Sequence, residues 1–78
     1  MPTIHEEAGF RFGFVMADGR ERPHVHITGH GGTMKVWLDT LEIAYDRGLP
    51  AQARRKALQI VGEQQASMML VWKETFGK

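Results

Sequence analysis

The chain changes its period at Leu49-Pro50, and this limits the fold more than any other feature. Before that point apolar residues alternate. Phe10, Phe12, Phe14 and Met16 fall on one side, with Arg11, Gly13 and Val15 opposite; Met34, Val36 and Leu38 oppose Lys35 and Trp37. Period two is the mark of a strand with one covered face. After that point the spacing is helical. From Ala51 to about Phe76 there is no proline and one glycine, Gly62, and Ala53, Ala57, Ile60 or Val61, Gln64, Met68, Val71 or Trp72 and Phe76 recur along one face. Pro50 suits the first helical position, where a missing N–H costs nothing. Strands first and a helix last predict an α+β domain: a three- or four-stranded antiparallel sheet packed against one long C-terminal helix, a single domain over residues 1–78. A helix of that length spans ~39 Å. It would project beyond a small sheet or break near Gly62.

Turns divide the strands. Residues 2–4 read as a short extended segment and His5 to Gly9 as a connection. Asp18-Gly19 is a turn signal, extended by Arg20-Glu21-Arg22 to Pro23. Gly29-His30-Gly31-Gly32 is the next turn; it lacks the Gly-Lys-Ser/Thr ending of a phosphate loop. Leu41 to Tyr45 reads as a short fourth strand, closed by Asp46-Arg47-Gly48.

Between two of these turns lies Pro23-His24-Val25-His26-Ile27-Thr28. Alternation places His24 and His26, and His30 if the strand continues, on one face, while Val25 and Ile27 meet the core. If all the apolar faces cover one core, the opposite face carries Arg11, His24, His26, Lys35 and Trp37. Three readings of this face stay open. His24 and His26, with His30, can ligate zinc or another divalent metal, with His5, Asp18 and Asp39 as further candidate ligands. His24 and His26 can act as acid and base beside Arg11 and Lys35, as in RNA cleavage. Or the face is a polar, partner-covered surface with Trp37 as anchor. The third reading needs no cofactor.

Composition removes other classes. A formal net charge of +1 commits the chain neither to nucleic acid nor to a membrane surface. Hydrophobic content of 42% with 24% charged residues suits a folded domain rather than a disordered one. The absence of cysteine excludes disulfide and thiolate chemistry and fits a cytoplasmic protein. The first residues have no basic and apolar regions of a signal peptide, and no apolar run approaches the ~20 residues of a membrane helix. Arg54-Arg55-Lys56 offers one basic cluster through which nucleic acid could bind. Ser67 to Trp72 is a dense apolar run, which marks Met69, Leu70 and Trp72 as candidate contacts for a protein partner or a second copy of the chain.

The opening Met1-Pro2-Thr3-Ile4, the Pro23-His24-Val25-His26-Ile27 core, Leu49-Pro50 and the late Trp72 together resemble DUF4160, a small prokaryotic domain family of unknown function. The resemblance covers nearly the whole chain, and the proline-histidine-hydrophobic-histidine signature is its most specific part. This chain has Gln59-Ile60 where the family tends to carry a glutamate-tryptophan pair. The resemblance implies no established reaction. It implies a gene neighbourhood shared with another small protein family, in pairs of toxin–antitoxin type. The expected function is therefore a partner-binding accessory module of a bacterial cytoplasm; the alternative is a small histidine-dependent nuclease, with or without a metal. Whether the chain is an enzyme stays open.

Overall fold

The computed structural model describes residues 3–77; Met1, Pro2 and Lys78 lie outside them, so the expected extended segment at 2–4 is seen only from Thr3. Five strands run in chain order as an antiparallel meander: β1 (Thr3–Glu7), β2 (Phe10–Gly13), β3 (His24–Gly29), β4 (Gly32–Trp37) and β5 (Ile43–Arg47). A 3-10 helix (Met16–Arg20) links β2 to β3. Two helices follow, α1 (Ala51–Glu63) and α2 (Gln65–Phe76).

Two departures from the sequence expectation have physical causes. The sheet has five strands, not three or four, because Ala8-Gly9 closes a hairpin between β1 and β2. Both residues take positive φ, 54° and 83°, as in the two-residue turns that match strand twist. His30 and Gly31 do the same between β3 and β4, with φ of 49° and 82°. An alanine in that conformation is not a turn signal, so β1 reads as a connection. The single helix is two, because Gln64 leaves helical geometry at φ −104° and ψ 10°, serving as the last cap of α1 and the first of α2. The break falls two residues beyond Gly62.

One face of the sheet is dry. Phe10, Phe12, Phe14, Val25, Ile27, Met34, Val36 and Leu38 are buried there against Ala57, Ile60 and Val61 of α1 and Met68 and Trp72 of α2. Arg54 at the start of α1 donates to Asp46 of β5 at 2.7 Å, which fixes the helix layer at that edge. At the other end Trp72 stacks edge-on to Phe14, with ring centroids 5.1 Å apart, and Phe76 packs on Trp72 at 4.4 Å. The 3-10 helix lies directly against α2 here. A Cβ on Gly19 would stand 2.6 Å from the Phe76 ring, so only glycine permits this approach.

Candidate functional site

The other sheet face carries the polar residues, and the β3–β4 register sets them in rows. His24 opposes Trp37, and His26 opposes Lys35. The 3-10 helix folds across this face from the end of β2 and brings Asp18 onto the histidines. Asp18 is held from behind: the backbone N–H of Val15 donates to its Oδ2 at 2.8 Å. Its Oδ1 lies 3.2 Å from His24 Nε2, and its two oxygens lie 3.1 and 3.2 Å from His26 Nε2. The imidazole rings of His24 and His26 stand edge to face at 5.0 Å.

Burial grades across the cluster. His24 is fully buried, wedged by Trp37 at 5.5 Å and Trp72 at 5.1 Å. Asp18 is buried as well. The His26 side chain keeps 22% of its surface. It opens, with Asp18, on a depression of about 290 Å³ whose wall includes Val15, Thr28, Thr33 and Tyr45. Burial alone would raise the pKa of the Asp18 carboxyl. The Val15 N–H, followed by the His26 ring, outweighs it, so the carboxyl titrates below its ordinary value and stays charged near neutrality.

His24 Nδ1 lies 2.8 Å from the carbonyl oxygen of Arg22. A carbonyl only accepts, so Nδ1 carries the hydrogen, and in the neutral ring Nε2 presents a lone pair. That Nε2 is buried and has no hydrogen-bond partner among the described residues. Asp18, His24 and His26 form a group whose possible ligand atoms all lie within 4.8 Å of one another.

The remaining sequence candidates are placed elsewhere. His30 leaves the strand alternation because of its positive φ. Its ring rests on Phe10 at 4.5 Å and donates to the Ala8 carbonyl at 2.9 Å, so it is not part of the Asp18 cluster. Arg11 opposes Thr28, not a histidine, and pairs with Glu6 at 3.3 Å in solvent. Lys35 is adjacent to His26 but points its ammonium at Glu21, 2.7 Å away, and across the Trp37 ring. That hydrogen bond lowers the Glu21 carboxyl pKa. Trp37 lies under the Arg22 guanidinium, 4.3 Å above its ring, and Arg22 in turn holds Asp39. Asp39 is thus engaged by Arg22, and His5 by Glu7 at 2.9 Å. Of the apolar C-terminal run, Trp72 is wholly interior and Met69 is partly buried against the core, while Leu70 is exposed. Trp72 therefore offers no surface to a partner in this fold. In the basic cluster Arg54 is engaged with Asp46, while Arg55 and Lys56 face solvent.

Asp18 is the centre of the site, and its signal in the sequence is small: an aspartate six residues before His24, in a dipeptide that reads as a turn. No helix among the described residues is long and apolar enough to cross a membrane. No curated protein and no solved structure matches the chain. The sequence model described as "Domain of unknown function (DUF4160)" matches residues 9–73, which takes in the 3-10 helix, the histidine strand, both tryptophans and the break between the helices. With most of its 78 residues inside that match, the chain belongs to the DUF4160 family.

Proposed function

We propose that this domain is a partner-binding accessory module, one member of a toxin–antitoxin-like pair, and that it docks through the sheet face opposite the helices. One observation carries the reading. Val15 and Tyr45, two of the large apolar residues left exposed among the described residues, line the depression over Asp18 and His26. An aromatic and an aliphatic side chain beside a polar floor are the composition of a recognition surface. The gene-pair context comes from the family resemblance.

The test is co-expression with the product of the neighbouring gene. Tyr45→Ala and Val15→Asp are expected to weaken the complex at least ~10-fold, about 1.4 kcal/mol, with the fold intact by circular dichroism. Leu70→Asp, on the helical side, is expected to leave it unchanged. Loss of the complex in the Leu70 variant alone would move the interface to α2.

A second reading, a small histidine-dependent nuclease, is favoured by the contact between Asp18 and His26 at the floor of the same depression. A carboxylate that orients an imidazole is the usual support of a general base. Here His26 is the group that could touch substrate, because His24 is enclosed. Cleavage of a mixed-sequence RNA by wild type and not by His26→Ala would replace the binding reading with this one.

A further inference from the structure

Beyond either reading, we infer that Asp18, His24 and His26 form a binding site for one divalent transition-metal ion of the zinc class.

The argument begins at the buried Nε2 of His24. The Arg22 carbonyl fixes the hydrogen on Nδ1, so the neutral ring turns a lone pair toward Asp18. The nearest carboxylate oxygen is 3.2 Å away and is also an acceptor. Two acceptors facing each other without water repel, and the pair needs a positive charge between or beside them. A proton on Nε2 would supply one. It would not form a good hydrogen bond, however, because the atoms are close but not aligned as donor and acceptor, and Nε2 stays without a partner. An ion shared by all three side chains meets the geometry better. Zinc bonds of about 2.0–2.2 Å in a tetrahedron put neighbouring ligand atoms roughly 3.3–3.5 Å apart. The carboxylate lies 3.1–3.2 Å from the two imidazole nitrogens, and all three ligand atoms lie within 4.8 Å of one another, so an ion is admitted by drawing the two rings together.

The surroundings are those of a metal centre. Each of two candidate ligands is oriented by backbone: Val15 N–H on Asp18 Oδ2, and Arg22 carbonyl on His24 Nδ1. A ligating imidazole commonly gives its second N–H to such a carbonyl, which fixes its tautomer and angle. Trp37 and Trp72 hold the ring from either side. Two imidazoles and one carboxylate suit zinc, cobalt, nickel or iron(II), and offer too few oxygens for calcium or magnesium. A fourth position would face the depression, which Asp18 and His26 line and His24 does not. A water, a substrate atom or a partner's side chain could fill it.

The test uses the untagged full chain, stripped by a chelator. It is titrated with Zn²⁺ by calorimetry and with Co²⁺ by visible absorption. One ion per chain is expected, with the ligand-field bands of a cobalt site of low coordination number and a zinc-dependent rise in melting temperature. Because His24→Ala would also open a gap between two tryptophans, the less buried His26→Ala and the near-isosteric Asp18→Asn carry the test. Each should remain folded and bind at least ~10-fold more weakly. His5→Ala and His30→Ala, which remove histidines outside the cluster, should bind as wild type does. Failure of the folded wild type to bind either ion overturns the inference, and so does binding that His26→Ala and Asp18→Asn leave unchanged. Metal binding by the wild type, together with a complex that Tyr45→Ala and Val15→Asp leave intact, would instead overturn the docking proposal alone.

Discussion

Arg22 is used at both ends. Its carbonyl fixes the tautomer of His24, while its guanidinium lies over Trp37 and reaches Asp39 Oδ1 through Nη2 at 3.1 Å and Nε at 3.3 Å. That hydrogen bond is the largest cause of the lowered Asp39 pKa. A carboxyl whose folded pKa lies below its unfolded one stabilises the fold above the unfolded value. The contribution is lost as pH falls through the folded value. Both partners are nearly half exposed, so the effect is modest and salt-sensitive. Arg22→Gln should therefore flatten the fall in stability between pH ~5 and ~2. The lost stacking on Trp37 should appear as a pH-independent offset. Urea melts across that range check this, and parallel curves for the two proteins would refute it. At this scale the sequence is only partly legible. Alternation puts His24 and His26 on one face, but it says nothing of what lies over them. His24 is buried by Asp18, six residues before it, and by Trp72, far along the chain, and neither the aspartate in a turn-like dipeptide nor the tryptophan in an apolar run announces that role.

Among the elements, the helix layer departs most from expectation. A straight helix over residues 51–76 would be ~39 Å long, yet the whole molecule is 34 Å in its longest extent. The break at Gln64 lets α2 change direction and carry Trp72 and Phe76 to the end of the sheet, against Phe14 and the 3-10 helix. The length of the run made a break or an overhang foreseeable. Gly62, the one helix-weakening residue, pointed to its vicinity, but not to Gln64 itself, which has ordinary helical propensity. What holds the break is tertiary: Gln65 donates its side-chain amide to the carbonyl of buried Leu38 at 2.6 Å. Gln65→Ala removes that donor and leaves a carbonyl near the core unpaired. The expected loss is about 1–2 kcal/mol, read as a lower urea midpoint with an unchanged m-value. A variant as stable as wild type would mean the break is set by packing of Ile60, Val61 and Met68 alone. The strands divide similarly. Those flanked by glycine turns and carrying clear alternation could be read directly, whereas β1 depends on an alanine at positive φ and on pairing with β2.

At the scale of the molecule, neither layer is self-sufficient. α1 and α2 have 13 and 12 residues, and isolated helices of that length are marginal in water. The sheet has its apolar face wholly turned to those helices and cannot be left bare. A domain of this size commands roughly 4–12 kcal/mol in total, too little for one layer to persist after the other is lost. Folding should therefore be two-state. The two tryptophans make this measurable, because they report from opposite sides of the sheet: Trp72 from the helix layer, in the core, and Trp37 from the polar face, between Arg22 and Lys35. Trp37→Phe leaves the core probe and Trp72→Phe leaves the surface probe. In each variant the fluorescence melt in urea should coincide with the far-ultraviolet circular dichroism melt of the same protein. Trp72→Phe should itself be less stable than wild type, since a smaller ring leaves part of the space against Phe14, His24 and Phe76 empty. That shift in midpoint does not affect the comparison, which is made within each variant. If the Trp72 signal in Trp37→Phe is lost at lower urea than its circular dichroism, α2 detaches before the rest unfolds. The cover over His24 would then be a separately opening element, and the buried cluster beneath it would be accessible in the folded sheet.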